Sequence, residues 1–300
     1  MSSSNPLVSI IFPVKNEGIN VKNTLDSLVK VKTDISYEVI IVDDASEDAC
    51  CDFLSSHDYP IAIKLVKTDG LGAANARNVG AEKASGQYYI FCDAHLFFED
   101  DWIEKLLDPM EKGIADGVVP GIAPHDKPNT VGYGYTINLE KFKANFNGRS
   151  ILAKGSEPVP TPCLPGGCLA IKKDVFIDIG GFDKGFIVWG HEDVEISIKM
   201  WLFGYKCFIQ PQVKILHVFR KSFPYNVTVT HADYNMMRMA YSHFSEERIE
   251  KCKKYIRVPA KADQIIQSVI DNGALEQRAA YFSRRKFDDD WFFKNFRIDF

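Results

Sequence analysis

The chain has 300 residues, of which 46% are hydrophobic and 25% are charged, a composition typical of ordinary globular proteins. Its formal net charge is −4, which argues against nucleic-acid binding because proteins of that class present an excess of basic residues. No run approaches the ~18 consecutive apolar residues of a membrane-spanning helix, so we expect neither a transmembrane segment nor a nucleic-acid partner.

Up to residue 125, apolar runs typical of strands alternate with segments of helical spacing. The predicted strands are 7–14, 37–44, 61–68, 87–94 and 115–124. The predicted helices are 18–31, one opened by Ser46, 70–86, and one from 99 that ends near Pro109. Strands that are apolar on both faces and alternate with helices of this length indicate an α/β fold, with a mostly parallel sheet covered by helices on each side.

Beyond residue 125 the alternation loosens. Residues 125–165 are rich in turn formers and predict an insertion at a sheet edge, where acceptors often bind, with a strand at 133–139. The later predictions are a strand and a helix within 166–182, an amphipathic helix at 191–205, a strand region at 206–220, and mainly helical residues from 228 to 285.

Ligands bind such sheets beyond the carboxyl ends of the strands, so polar residues there are the first functional candidates. Asp43 and Asp44 end the second strand, and paired carboxylates can accept hydrogen bonds from a base and from ribose hydroxyls. Capping of the segment that begins at Ser46 explains the pair equally well. Neither a GxGxxG fingerprint after the first strand nor a Walker A motif is present, which argues against a Rossmann dehydrogenase and a P-loop NTPase.

The segment Asp93-Ala94-His95 ends the fourth strand. In extended chain, residues two apart point the same way and lie about 6.6 Å apart, so one cation can sit between the carboxylate and the imidazole. That pair suits a borderline-hard metal. Taken alone, a loop cap and a surface histidine explain the pattern better. His217, at the end of a later strand, supplies a candidate third ligand, although a lone histidine there is more often structural.

Arg220, Lys221 and Tyr225 follow this third candidate ligand. Cations and a phenol hydroxyl beside a metal ligand are suited to a diphosphate. A solvated basic turn is the plainer explanation of the same residues.

Glu192 and Asp193 begin the helix predicted at 191–205. The helix dipole favours anions at this position, which by itself accounts for the two acids, but functional carboxylates near the strand ends would occupy the same place. Trp189 precedes them and can pack against a sugar ring or anchor a loop in the core.

In this order and on this fold, these motifs resemble the GT-A glycosyltransferases, specifically family 2 and its polypeptide N-acetylgalactosaminyltransferase relatives. The matching segments fall within about residues 7–226 and are "VSIIFPVKNE", "VIIVDDAS", "GLGAANARNVGAEKASG", "FCDAHLFFEDDWIEKLL", "TPCLPGGCLAIKKDVF", "VWGHEDVEISIKMWLFGY" and "HVFRKSFPY". The last two are more specific than a generic DxD motif. The DxH motif and "HVFRKxxPY" are typical of the polypeptide transferase branch, whose lectin domain we do not expect within the mainly helical residues 228–300.

The resemblance implies that a UDP-sugar donor binds over the strand ends. The implied residues at the nucleoside are Pro13, Val14 and Glu17 at the uracil and ribose, Asp43 and Asp44 at the base and ribose, and Arg77 at the base or diphosphate. Asp93 and Ala94 are implied to contact the donor, Gly166 and Gly167 the donor sugar, and Trp189 the sugar and acceptor. Arg220, Lys221 and Tyr225 are implied at the phosphates. It also implies that Asp93, His95 and His217 hold a divalent metal. Mn²⁺ is expected, with Mg²⁺ as the alternative, to offset charge that grows on the diphosphate.

The start of the helix at 191–205 departs from the polypeptide transferase branch. Retaining enzymes of that branch typically carry Gly-Glu-Asn where this chain has His191-Glu192-Asp193, and inverting family 2 enzymes typically carry Glu-Asp. An Asp can take the proton from an acceptor hydroxyl, whereas an Asn cannot. We therefore expect inversion, with Asp193 as general base and Glu192 beside it, and we keep a retaining enzyme as the alternative.

The expected organisation is a catalytic domain at 1–227, divided into a nucleotide-binding half (1–125) and an acceptor and metal half (126–227). Residues 228–300 are expected to form a helical extension that packs on this domain or makes a homo-oligomer. A peptide, a glycan or a small molecule with a hydroxyl or thiol remains open as acceptor. The alternative of another class is a non-catalytic protein that binds nucleotide-sugars or carbohydrates.

The seven cysteines include no CxxC pair and are irregularly spaced, which argues against a structural zinc site. The N-terminal residues lack the basic start and apolar core of a secretion signal. We therefore expect reduced thiols and a cytoplasmic location, with peripheral membrane association as the alternative.

Overall fold

The computed structural model describes residues 5–138, 143–147 and 155–300. Its strands are β1 (Val8–Val14), β2 (Tyr37–Asp44), β3 (Ala62–Thr68), β4 (Tyr88–Cys92), β5 (Leu96–Phe97), β6 (Gly117–Pro124), β7 (Gly132–Asn138), β8 (Lys143–Asn147), β9 (Val159–Pro160), β10 (Cys168–Lys172) and β11 (Cys207–His217). Its α-helices are α1 (Asn20–Lys30), α2 (Ala73–Lys83), α3 (Trp102–Glu111), α4 (Lys173–Asp178), α5 (Glu192–Leu202), α6 (Val229–His243), α7 (Glu246–Lys253), α8 (Ala262–Asp271), α9 (Ala274–Arg284) and α10 (Asp289–Asn295).

The strands form one mixed sheet with the central order β3-β2-β1-β4-β10-β6-β11-β5. Strands β1 to β4 are mutually parallel, and β11 is parallel to β6. Strand β10 runs antiparallel to both of its neighbours, and its Cys168 lies opposite Cys92 of β4. The carboxyl ends of the parallel strands and the amino end of β10 therefore meet at one edge of the sheet.

Helices cover both faces of the sheet because successive side chains of a strand point to opposite faces. Phe12 packs in one buried apolar cluster with α1 and α3, while its neighbour Ile11 packs in the other with α2, α4 and α5. Helix α1 joins its cluster through Val21 and Leu25, at the spacing of one helix face. The helices after residue 228 contribute side chains such as Met237 and Phe292 to the cluster that contains α5.

Two predicted elements differ from the structure, and in both places a polar side-chain contact explains the difference. Ser46 opens no α-helix, because its backbone N–H donates to Asp43 Oδ1 at 3.0 Å and its hydroxyl accepts from Asn16 N at 3.0 Å, which holds a turn instead. Helix α3 continues through Pro109 to Glu111.

Proline removes one helical hydrogen bond from the carbonyl four residues earlier. In α3 that carbonyl belongs to Lys105, and it accepts from Gln210 Nε2 at 3.0 Å. The lost bond is thereby replaced from β11. The predicted strand at 133–139 is observed as β7, and Leu139 lies outside the described residues.

Among the residues that the structure describes, no helix is both long and apolar enough to cross a bilayer.

Candidate metal and ligand site

A cavity of about 1360 Å³ opens at the edge where the parallel strands end. Its walls come from the loops after β1, β4 and β11, the end of β2, the start of α2, the turn before β10 and the start of α5. Ala232, Asp233, Met236 and residues 254–257 complete them. Ligand cavities in α/β sheets are expected at this edge. The cavity is therefore the candidate functional site.

Three side chains in this cavity form a candidate metal centre. Asp93 Oδ2 lies 3.3 Å from His217 Nε2 and 3.7 Å from His95 Nε2. One ligand atom from each of the three residues lies within 4.8 Å of the others. The ends of β4 and β11 bring the residues together, although 124 positions of sequence separate Asp93 from His217.

A carboxylate from the loop after β1 orients one of these imidazoles. Glu17 Oε2 lies 3.1 Å from His95 Nδ1, and Glu17 Oε1 accepts a hydrogen bond of 2.7 Å from Arg220 Nη2. A proton on Nδ1 that is held by Glu17 leaves the Nε2 lone pair directed at Asp93, which is the usual outer arrangement of a metal-binding histidine. One oxygen and two nitrogen donors, so oriented, fit a divalent transition metal such as Mn²⁺.

Asp93 is kept ionised by its neighbours. Burial raises the pKa of this carboxyl, but the hydrogen bond with His217 and the charges of His95 and Arg77 outweigh burial and hold the pKa well below its usual range. An ionised carboxylate is the form that binds a cation.

Arg77, which is only 3% exposed, joins the acidic groups of the site. Its guanidinium donates to Asp93 Oδ1 at 3.2 Å, to Glu192 Oε1 at 3.3 Å and to the carbonyl of Gly166 at 3.3 Å. It lines the cavity, as expected of a donor-binding residue, but these bonds also make it a link between α2, β4 and α5. Its buried Nε has no hydrogen-bond partner among the described residues.

Asp193 lies in the first turn of α5, at the cavity wall. Its Oδ2 accepts from Gly166 N at 3.0 Å and its Oδ1 from Val194 N at 2.9 Å. Burial and the neighbouring charge of Glu192 raise the pKa of Asp193 to about 7, in spite of these hydrogen bonds. A carboxylate with a pKa near neutrality is suited to proton transfer.

The paired acids at the end of β2 serve the protein's own backbone. Asp44 accepts from Thr68 Oγ1 at 2.7 Å and from the backbone N–H groups of Gly70, Leu71 and Gly72 at 2.6 to 3.1 Å. It lines the cavity while fixing the turn before α2, whereas Asp43 is absent from the cavity wall.

The glycines before β10 allow other site residues to approach closely. A Cβ on Gly167 would lie 3.3 Å from His217 Cδ2, and one on Gly166 would lie 3.1 Å from Asp193 Cβ. The carbonyl of Gly167 also accepts from Asp93 N at 2.9 Å. The two glycines thus allow the metal triad and Asp193 to lie close together.

The loop after β11 folds over the cavity. The ring of Phe223 lies 4.7 Å from that of Trp189, and the Asn16 side chain donates to the carbonyl of Pro224 at 3.1 Å. Burial and the nearby charges of Glu192 and Asp93 raise the pKa of Tyr225, so its hydroxyl stays protonated.

Most residues singled out in the sequence meet at this cavity. Those that line it are Pro13, Val14, Glu17, Asp44, Arg77, Asp93, His95, Gly166, Gly167, Trp189, Glu192, Asp193, His217, Arg220, Lys221 and Tyr225. Asp43 and the buried Ala94 do not line it. Sequence reasoning missed the wall formed by Ala232, Asp233, Met236 and residues 254–257, because these positions carry no motif and reach the cavity only through helix packing.

The sheet order, the strand-end triad and the acidic start of α5 define this as a protein of the GT-A type. The family model described as glycosyl transferase family 2 matches residues 9–180, more than half of the chain. The chain belongs to that family, which confirms the resemblance seen in its motifs. A second model, described as the N-terminal domain of galactosyltransferase, matches residues 150–222.

Curated relatives include two proteins from Drosophila melanogaster. N-acetylgalactosaminyltransferase 6 is 25% identical over 312 residues, with 98% of this chain and 46% of the relative covered. N-acetylgalactosaminyltransferase 7 is 30% identical over 243 residues, with 74% of this chain and 41% of the relative covered. The chain thus spans less than half the length of these two relatives.

Among solved structures, one described as GalNAc-T7 with UDP, GalNAc and Mn²⁺ superposes with a TM-score of 0.74 at 19% identity. The match covers 99% of this chain and 58% of that one. At this identity the likeness establishes the fold, and it confirms the GT-A architecture expected from the sequence.

Proposed function

We propose that this protein is a metal-dependent glycosyltransferase that moves a sugar from a UDP-sugar to a hydroxyl or thiol acceptor. The observation that carries the proposal is the Asp93, His95 and His217 triad placed in one cavity with the acid pair of α5. Family membership supports the reaction class, and the UDP and Mn²⁺ of the similar solved structure support the donor and the metal.

A bound Mn²⁺ would supply Lewis-acid stabilisation of the diphosphate as the sugar bond breaks. The protein's own part begins with Glu17, which holds the imidazole of His95 and the guanidinium of Arg220 in one hydrogen-bonded chain. Arg220 and Lys221, both at the cavity wall, are placed to donate to phosphate oxygens. Closure of the loop after β11, which carries Phe223, over the cavity would exclude water from the donor sugar.

Asp193 is proposed as the general base of an inverting reaction. Its carboxylate takes the proton of the acceptor hydroxyl, the hydroxyl oxygen forms the new bond to the anomeric carbon, and the bond from that carbon to UDP breaks. Each oxygen of Asp193 already accepts one backbone hydrogen bond, which leaves a second lone pair for the acceptor. The raised pKa of Asp193, about 7, supports this role.

A retaining reaction is the second candidate, and it is favoured by the names of the relatives, which are N-acetylgalactosaminyltransferases. The anomeric configuration of the product, read by NMR, separates the two. Inversion is expected here because an acid rather than an amide stands at position 193.

The proposed donor- and metal-binding residues fall within 1–227, which we propose as the catalytic domain. Ala232, Asp233, Met236 and residues 254–257 of the helical extension complete the cavity wall. A peptide, a glycan or a small molecule stays open as acceptor. All seven cysteines are buried and unpaired, which supports a reducing, cytoplasmic location.

The test is UDP release from a panel of UDP-, GDP- and TDP-sugars with Mn²⁺, first without and then with acceptors. We expect release from a UDP-sugar, loss of release with EDTA and recovery on adding Mn²⁺. His95→Ala should abolish the response to Mn²⁺, while His57→Ala, an exposed histidine outside the cavity, should behave as wild type. Metal-independent release by the His95→Ala protein would remove the metal site from the mechanism, and binding of UDP-sugars without turnover would favour a non-catalytic protein.

A further inference from the structure

One buried amide ties the C-terminal helices to the loop that precedes α5. Asn235 of α6 is 1% exposed, and its Oδ1 accepts from Ile187 N at 2.9 Å. Its Nδ2 lies 2.9 Å from the carbonyl oxygens of Ile187 and Gly190 and 3.3 Å from that of Trp189. The amide oxygen and the amide nitrogen of Asn235 thus both bond to the backbone of the segment 187–191.

That segment has a strained backbone. Val188 has φ of 50° and His191 has φ of 67°, with Gly190 at 109° between them. A positive φ is unusual for any residue with a Cβ and is an outlier for a β-branched one. Such conformations persist only where the surrounding structure fixes them, and they concentrate at functional sites.

The segment is clamped from the opposite side by the start of α2. The carbonyl of Val188 accepts from Ala73 N at 2.8 Å, and a Cβ on Gly72 would lie 2.7 Å from Val188 N. The clamped segment carries Trp189, which is 40% exposed and lines the cavity. It continues through Gly190, whose N–H donates to Glu192 Oε2 at 2.9 Å, into the first turn of α5.

We propose that Asn235 is a positioning residue for sugar transfer. It holds the segment 187–191 in the strained conformation that presents Trp189 to the donor sugar and starts α5 with Glu192 and Asp193 at the cavity. The helix that follows residue 228 is therefore part of the active site. This inference rests on the proposed function.

The test compares Asn235→Ala with Asn272→Ala. The Asn272 side chain also holds α6, through a 3.0 Å hydrogen bond from Nδ2 to the Tyr234 hydroxyl. Among the described residues, no hydrogen bond joins this side chain to the segment 187–191. We expect Asn235→Ala to lower kcat by about 10- to 100-fold, the cost of a misplaced reacting group. Mn²⁺ affinity, measured by electron paramagnetic resonance, should fall less than kcat, because the three ligands lie at the ends of β4 and β11 and are joined to the start of α5 through Arg77. Asn272→Ala should keep kcat within about twofold.

Hydrogen exchange of the unaltered protein gives a second test that does not require the variants to fold. The amide of Ile187, bonded to Asn235, should exchange as slowly as the buried amides of α6, and fast exchange would overturn the inference. So would an unchanged kcat in Asn235→Ala with a Tm lowered as in Asn272→Ala, since the role would then be structural only. A wild-type protein that releases no UDP would overturn the proposed function, and this inference with it.

Discussion

Replacing Asp193 with Asn is predicted to remove the loss of stability that the wild-type protein shows as pH rises to about 7, and to remove its activity. In the folded chain the pKa of Asp193 is about 7 against a usual 3.8, because burial and Glu192 disfavour the charged form. Between these two values the folded state keeps a proton that the unfolded state has lost. Stability therefore falls as pH rises from about 4 to about 7, and the whole cost persists at higher pH.

The size of the effect follows from the two pKa values. The difference between 3.8 and about 7 corresponds to at most about 4 kcal/mol. Asp193 is partly exposed to the cavity, and solvent there screens the charge, so we expect roughly half of this, about 2 kcal/mol. Asparagine keeps the shape but carries no charge, and its amide nitrogen cannot accept one of the two backbone N–H bonds that Asp193 receives. That loss is independent of pH, so the variant should still gain about 2 kcal/mol on wild type as pH rises through about 7.

Urea unfolding at pH 4 and pH 8 measures the stability difference, and UDP release against pH measures the activity. Wild-type turnover should rise with pH through about 7, and Asp193→Asn should lose about 100-fold or more in kcat, the contribution of a general base, with UDP binding intact. Asp174→Asn is the matched control, since its Oδ1 likewise accepts from the next residue's N–H at 2.9 Å but lies outside the cavity. Equal stability differences at the two pH values, or normal turnover by Asp193→Asn, would refute the reasoning.

Two further predictions concern groups that support the site. Glu17→Gln should weaken Mn²⁺ binding about 10-fold in titration calorimetry, the usual effect of losing a carboxylate that orients a ligand imidazole. The control is Glu47→Gln, which changes an exposed acid on the same cavity wall. Equal Mn²⁺ affinities of the two variants would contradict the role of Glu17. Lys199→Met should destabilise the fold by about 3 kcal/mol in urea. It removes the cation 3.2 Å from Glu195, which is equally inaccessible to solvent, and leaves His243, 2.8 Å from that carboxylate, as its remaining buried partner. The partly exposed pair of Lys22 and Asp26 supplies the comparison, since Lys22→Met should cost under about 1 kcal/mol. Similar losses in the two variants would show that burial does not set the cost.

The parallel half of the sheet could be predicted from the sequence because its strands, and the helices that follow β1 and β3, are local patterns. The position of Asp93 and His217 at strand ends was also predictable, since parallel strands end at one edge. Their mutual distance of 3.3 Å was not, because it depends on which strands are neighbours in the sheet.

Other features depend on contacts between residues far apart in the chain, and no local pattern reports them. The sequence suggests that Asp44 is a ligand-binding acid, but its carboxylate accepts from the Thr68 hydroxyl 24 positions later and from backbone N–H groups 26 to 28 positions later. Asn235 lies in an ordinary helical stretch, 45 to 48 positions from the loop that it holds. The reversal of β10 could not be inferred from its apolar pattern, which does not encode strand direction.

That reversed strand makes part of the site modular. Strand β6 ends at Pro124, in register with His217, and β10 begins at Cys168, in register with Cys92. The segment between them thus begins and ends at the same edge of the central strands, beside the cavity. One end is fixed by β6 and the other by Gly166 and Gly167, so changes of length confined to the middle of the segment move neither strand nor the metal triad.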